Sequence, residues 1–220
     1  MEPSHEPTER TRVRRKPSRG SYEREVIDEI LDRALICHVG FVDDGQPYVT
    51  PTIHARHGDT LYLHGSPSSR TLTALAGGAP CCITATLVDE LVLARSARQH
   101  SLNYRSVMVL GNAREVTDPD EKQLAMRAVV DHIVPGRSDH VRGPDEKEAE
   151  TTRIVALPID EASAKLREGP PVDKREDHEL PFWAGRLPLT VAPGTPIPEP
   201  ELHGAEIPDH VRNWRRDSTV

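Results

Sequence analysis

The sequence predicts a mainly β chain in which antiparallel strands close into a barrel, with a few helices set around it. Apolar, β-rich runs follow one another across links of only a few residues, Asp43-Asp44-Gly45 and Gly58-Asp59 among them. Such links join antiparallel neighbours, because parallel strands need a long crossover. Helical patterns are too few and too scattered for alternating βαβ units, which excludes a doubly wound sheet. Closing roughly six such strands into a barrel also removes exposed sheet edges.

Residues 1–20 are charged, contain proline and hold few apolar side chains, so a disordered tail is expected. Ser21 is the expected cap of a helix with Glu23 and Glu25 near the positive end of its dipole, and Val26, Ile27, Ile30, Leu31 and Ala34 form its apolar stripe. Residues 35–42, 47–56 and 60–64 read as strands. Residues 65–69 form a loop before a short helix over 70–76, which Gly77-Gly78 ends. Residues 81–88 and 91–94 read as a hairpin around Asp89-Glu90, and 104–116 as a long strand with a bulge at Gly111. Asp118, Pro119 and Glu121 announce a capped helix whose buried face is Leu124, Ala125, Ala128, Val129 and Ile133, and Pro135-Gly136 stops it. Residues 153–159 make the last clear strand. The organisation expected is a tail over 1–20, one domain over 21–168, and a Pro-rich extension over 169–220 that wraps the barrel or a partner subunit.

At 220 residues the chain can bury a core without disulfides or metal. Three cysteines, two of them adjacent, give no disulfide framework and point to a reducing compartment. No apolar run approaches the ~20 residues of a membrane span, and residues 1–20 lack the apolar stretch of a secretory signal. A cytoplasmic protein is expected, with no membrane partner. The net charge is −7, yet Arg10, Arg12, Arg14, Arg15, Lys16 and Arg19 crowd one segment. Such an arm can touch nucleic acid or stand solvated. The acidic remainder and the scarcity of aromatics favour the solvated arm, with no nucleic-acid partner.

No G-x-G-x-x-G, P-loop, G-x-S-x-G or C-x-x-C is present. His54 and His57 lie three apart on a strand and face opposite sides, so no metal site is expected. His38, beside Cys37, reads as a satisfied strand residue. His64 ends a strand before a loop, either as a plain polar group or as a cofactor or substrate contact. Gly65-Ser66-Pro67-Ser68-Ser69-Arg70-Thr71 gathers hydroxyls, backbone amides and an arginine at a helix start, either a simple cap or a phosphate site. Arg105 can pair with an acid or bind an anion, and Arg95, Ser96 and Arg98 lie on the loop upstream.

In their order, Arg19-Gly20-Ser21-Tyr22, Cys37-His38-Val39-Gly40, Asp44-Gly45-Gln46-Pro47, 61–66 (Leu-Tyr-Leu-His-Gly-Ser), Ser69-Arg70, 91–96 (Leu-Val-Leu-Ala-Arg-Ser), His100-Ser101 and 103–107 (Asn-Tyr-Arg-Ser-Val) resemble the pyridoxamine 5′-phosphate oxidase-like flavoproteins. The branch they resemble includes nitroimidazole-resistance proteins, and Ser163-Ala164-Lys165, Gly169-Pro170-Pro171 and Trp183-Ala184-Gly185 also fit. The resemblance covers residues 19–190. It implies a six-stranded split β-barrel, a homodimer, and FMN at the subunit interface, with FAD, deazaflavin and haem as alternatives.

By position, Ser69 and Arg70 match a phosphate contact, and Thr50, Pro51 and Thr52 match a strand along the flavin ring. His64 and Ser66 match the pocket lining, and Asn103, Tyr104 and Arg105 match a closing segment. The resemblance further implies an FMN-dependent oxidoreductase acting on a small molecule, such as a nitro-aromatic or a quinone, with His64 as proton donor or substrate contact. A non-catalytic flavin, deazaflavin or haem binder is the alternative. The sequence departs from the oxidases at Thr71, where they carry lysine. It also offers only scattered Arg212, Arg215 and Arg216 for their Arg-x-His motif, and the branch's Asp-Gly-Leu-Val reads Asp89-Glu90-Leu91-Val92.

Overall fold

The computed structural model describes residues 7–202, 204 and 206–215. Helix α1 (Arg24–Arg33) buries Ile27, Ile30 and Leu31, the i, i+3, i+4 face that the apolar stripe predicts. Strand β2 (Cys37–Asp43) alternates strictly: Cys37, Val39 and Phe41 point inward, His38 and Val42 outward. It turns at Asp44-Gly45, both at positive φ, into β3 (Gln46–Thr52). Strands β4 (Ala55–His57) and β5 (Thr60–Gly65), helix α2 (Arg70–Ala76), and the long strands β6 (Pro80–Leu93) and β7 (Ser101–Asn112) follow. Strand β8 (Arg114–Glu115), helices α3 (Pro119–Ile133) and α4 (Glu146–Glu150), strands β9 (Arg153–Pro158) and β10 (Glu161–Arg167), strand β11 (Gly185–Pro188) and helix α5 (Asp209–Arg212) complete the order after a short β1 (Gly20–Ser21).

Every strand pairing is antiparallel. The larger sheet runs β1-β10-β7-β6-β2-β3, with β11 also on β6, and the smaller runs β4-β5-β9-β8. Their inward faces share one core, in which Val39, Ile83, Val107 and Val109 meet Leu61, Leu63, Val155 and Leu157, with Leu72 and Leu75 of α2 closing one side. This is the antiparallel split barrel that the sequence predicts. The outer face of the smaller sheet carries Tyr62, Ile154 and Ala156 and packs on Ala125 of α3. No helix among the described residues is long and apolar enough to cross a membrane.

The structure corrects several local expectations. No hairpin forms at Asp89-Glu90: β6 runs straight through, with a bulge between Val88 and Glu90. The turn-like acids are tied across to β7, Asp89 to Arg105 and Glu90 to Asn103. Neither has a positive φ, so the missing glycine puts no strain there. Gly111 is not a bulge but pairs in register with Cys81. It is small because a Cβ there would come within 2.8 Å of the Leu157 Cδ1. The run over 47–56 breaks at Ile53-His54, where buried His54 Nε2 bonds the Leu31 carbonyl at 2.8 Å. Glu23, not Ser21, holds the N-cap of α1, without a side-chain bond. Asp118 caps α3 as expected, but Glu121 turns instead to Arg114 and the Tyr62 hydroxyl. Strands β10 and β11 follow the strand expected to be last.

Residues 7–20 do not form the disordered tail expected of them; residues 1–6 lie outside the described residues. The Val13 amide donates to the Tyr22 hydroxyl at 2.8 Å, Arg10 pairs with Glu161, and Thr11 is buried. Gly20-Ser21 pairs with Lys165 and Ala164 of β10. Local composition cannot foresee this order, because the partner lies far along the chain.

Candidate functional site

The start of α2 is built by its own loop. Ser69 is the N-cap, and its hydroxyl oxygen accepts from the Leu72 amide at 3.4 Å. Its amide donates to the Ser66 carbonyl at 2.9 Å, and the Ser66 and Ser68 hydroxyls bond each other at 2.8 Å. Arg153 of β9 fixes the loop by donating to the Pro67 carbonyl at 2.7 Å and the Thr73 hydroxyl at 2.9 Å. Glycine at 65 lets α2 settle on β5, since a Cβ would stand 3.1 Å from Leu72 Cδ1.

Arg70 is the exposed cation of this turn. Its side chain is 61% exposed and lies 4.7 Å from the Tyr48 ring centroid, and its one acidic neighbour, Asp43, is 3.7 Å away. Thr71 Oγ1 donates to Thr50 Oγ1 at 3.2 Å, which ties β3 to α2 and occupies the hydroxyl that stands where the oxidases carry lysine. Thr50, Ser66, Ser69 and Arg70 are thus brought together. Hydroxyls, helix-start amides and an exposed guanidinium form a donor set suited to a phosphate.

Along β3, Thr50 and Thr52 share the half-buried side with Tyr48, while Pro51 faces outward with Val49. Prolines are tolerated there because β3 is the sheet's edge. The outward side of β2 and β3 exposes Ile36, Val42 and Val49, and His38 stands exposed among them with no hydrogen bond among the described residues. The sequence reads His38 as a satisfied strand residue, whereas the alternation from Cys37 to Phe41 turns it outward and no hydrogen bond satisfies it among the described residues.

His64 lies on the other face of β5 from Leu61 and Leu63, on the side of Tyr62 that packs on α3, so the structure does not bring it to the Ser66–Arg70 turn. Its Nδ1 is buried without a partner, and burial lowers its pKa below the ordinary 6.5. A lowered pKa means that the unfolded chain takes the proton first, so stability is unaffected by this group above 6.5 and falls as pH drops below it. We expect His64→Gln to lose less stability than the wild type between about pH 7.5 and about pH 5.5 in urea unfolding. An equal loss in both proteins would remove His64 from the acid response.

Asn103, Tyr104 and Arg105 lie at the opposite end of the larger sheet. Tyr104 pairs with Val88, whereas Asp43, the neighbour of Arg70, ends β2 beyond the Phe41–Cys81 pair. Seven strand positions separate Val88 from Cys81, about 23 Å at ~3.3 Å each. Arg105 pairs with Asp89 at 2.7 Å and Glu29 at 2.8 Å. Asn103 is buried: its amide nitrogen donates to Glu90 and to the Gly169 carbonyl, and its oxygen accepts from Arg167. Tyr104 lines a separate basic cavity.

The thiols offer no nucleophile, since burial pushes Cys37 up to about 12 and Cys81 up to about 11. No cluster of three or more His, Cys, Asp or Glu able to hold a metal ion occurs among the described residues.

Two solved structures match almost end to end. The flavocytochrome Anf3 from Azotobacter vinelandii is 40% identical, with a TM-score of 0.87, over 95% of this chain and 98% of that one. The FAD and haem binding protein from Mycobacterium smegmatis is 38% identical, with a TM-score of 0.85, over 90% of this chain and 97% of that one. A 5-nitroimidazole antibiotic resistance protein from Bacteroides thetaiotaomicron is 25% identical, with a TM-score of 0.57, over 66% of this chain and 85% of that one. No curated protein is significantly similar to the chain. The family model described as pyridoxamine 5′-phosphate oxidase matches residues 23–166, and the chain belongs to that family.

Proposed function

We propose that the protein is a homodimeric redox protein that binds a flavin and haem, with the flavin phosphate held at the Ser66–Arg70 turn. The extent of similarity carries this reading. The family model ends at residue 166, and the nitroimidazole-resistance protein covers 66% of the chain. The flavocytochrome covers 95%, which takes in most of the residues on either side of the barrel. The added segments are therefore shared with proteins described as carrying both groups. FMN follows from the family resemblance; the Mycobacterium smegmatis protein supports FAD instead, and we favour FAD. Nothing in the site favours a deazaflavin.

The residues fit these groups. Ser69, Ser66 and Arg70 supply neutral and charged donors to a phosphate, and the Thr50–Thr71 bond fixes β3 beside it. His38 offers an unbonded imidazole on an exposed apolar face, the donor that a haem iron takes, and we place the axial ligand there. That face also gives a second copy an apolar surface to cover. When bound, the flavin and haem supply the electron transfer, so no side-chain nucleophile is needed. A small-molecule oxidoreductase follows, with nitro-aromatics and quinones as the first acceptors to test.

An absorbance spectrum of the purified protein after gel filtration tests the reading. Flavin bands, a Soret band and elution at dimer size are expected; a colourless protein overturns it. Arg70→Ala should weaken flavin binding by about 1.5–3 kcal/mol, roughly 10- to 150-fold, and leave unfolding unchanged because the side chain is exposed. Unchanged affinity would remove Arg70 from the site. His38→Ala should lose the Soret band and keep the flavin bands.

A further inference from the structure

The basic arm of the sequence ends in a built cavity. Residues 15–19 lie against β10 and the start of β7, and a cavity of about 490 Å³ opens between them. Arg15, Lys16, Arg19, Arg98, Lys165 and Arg167 line it, and no carboxylate does. Five arginines elsewhere are treated differently: Arg24, Arg56, Arg105, Arg114 and Arg142 each pair with an acid at 2.7 Å or closer. Among the described residues, Arg15, Lys16, Arg19, Arg98 and Lys165 have no ion-pair partner. The chain has 35 acidic residues against 28 basic ones, so acids were not in short supply.

The cations are placed rather than loose. Lys16 holds a left-handed backbone at φ 55°, a conformation that costs a non-glycine residue energy. It caps a one-turn 3-10 helix, Pro17–Arg19, that leads into β1 on β10. Gly20 fits beneath Val13, 3.0 Å from where its Cβ would stand. On the opposite wall Arg167 is 6% exposed and donates to the Asn103 side-chain oxygen. Burial, and then the nearness of Arg19, lower its pKa, a penalty on the Arg167 charge that an anion beside it would offset.

We propose that this cavity binds the diphosphate portion of a nucleotide. Five uncompensated cations exceed what one phosphate neutralises, whereas a diphosphate carries about three charges at neutral pH. The volume leaves room for more than phosphates. Tyr104 and Val172 supply the apolar wall that a base or sugar needs. His100 donates from Nδ1 to the Ser96 carbonyl at 3.0 Å, which leaves Nε2 as an acceptor. The cations converge on a cavity instead of forming a ridge, the shape for a small anion and not for a polymer. The site is separate from the Ser66–Arg70 turn and stands whether or not flavin phosphate binds there. Its occupant is a free nucleoside diphosphate: the two phosphates of a flavin dinucleotide share one bridging oxygen, so a dinucleotide held at the Ser66–Arg70 turn cannot also place its diphosphate in this cavity, about 23 Å along the sheet.

The test compares wild type with Arg15→Ser/Arg98→Ser, both exposed positions whose loss leaves the core intact. ADP is titrated calorimetrically into each purified protein at low salt, and FAD and FMN affinities are measured on each after flavin removal. ADP binding to wild type, at least 10-fold weaker in the variant, establishes a site for a free nucleotide. Failure of ADP to bind the purified wild type overturns the proposal; FAD at least 10-fold weaker in the variant with FMN unchanged would then move the flavin dinucleotide itself to this cavity. If the variant leaves the ADP affinity unchanged, the proposal is overturned. It is also overturned if a single-stranded oligonucleotide binds more tightly than ADP and the variant loses that binding.

Discussion

Replacing Asn103 by leucine should lower the free energy of unfolding by about 3–5 kcal/mol, the usual cost of stranding a buried charge. Asn103 is a buried amide between two charged groups that are themselves buried, Glu90 and Arg167. It donates to the carboxylate, accepts from the guanidinium, and holds the Gly169 carbonyl at 3.1 Å. Leucine has nearly the same size and none of this chemistry. Glu90 keeps Arg186 at 3.3 Å, but Arg167 loses the one acceptor shown for it among the described residues. Urea unfolding at fixed protein concentration measures the loss, and a change under about 1 kcal/mol would show that water replaces the amide. Because Arg167 also walls the basic cavity, the same variant should bind ADP more weakly than wild type.

Truncating Leu157 to alanine should cost about 2–5 kcal/mol, the range for a large-to-small change in a closed core. Leu157 belongs to the smaller sheet and fills the space left by Gly111 of the larger one. It is 1% exposed, so the cavity has no route to solvent. Gly111→Ala alone should cost about 1–3 kcal/mol, because its methyl meets the Leu157 terminal methyl. The double variant should lose less than the two single losses combined, since the new methyl enters the space that Leu157 vacates. Strict additivity would show that the two sheets do not touch there.

The parts of this molecule legible from sequence are those with short-range causes. Ile27, Ile30 and Leu31 announce α1 by spacing, Asp44-Gly45 announces its turn, and Asp118-Pro119 announces α3. Ser69 announces the start of α2, and its side chain does cap that helix. Apart from the shifted cap of α1, the expectations that differ involve a distant partner. Asp89-Glu90 looks like a turn until Arg105 and Asn103 stand opposite. The arm over 7–20 looks unstructured until β10 receives it. His64 ends β5 beside the loop that carries Ser66, yet it shares the face of Tyr62 that packs on α3. The basic cavity draws on Arg15, Arg98 and Lys165, which no local motif connects.

One edge of β6 is shared between two neighbours, while β7 lines the other: β2 pairs with residues 81–84, and β11 pairs with residues 90–93 on its later half. The bulge at Val88/Glu90 lies between the two stretches. During synthesis, β2 precedes β6 and can pair with it at once. The later half of β6 must wait until residue 188 has left the ribosome, and until then it presents an open edge on the nascent chain. Truncations that remove β11 therefore threaten yield before they threaten activity, and a ribosome-stalled chain ending before residue 185 should be captured by strand-binding chaperones more readily than the finished one.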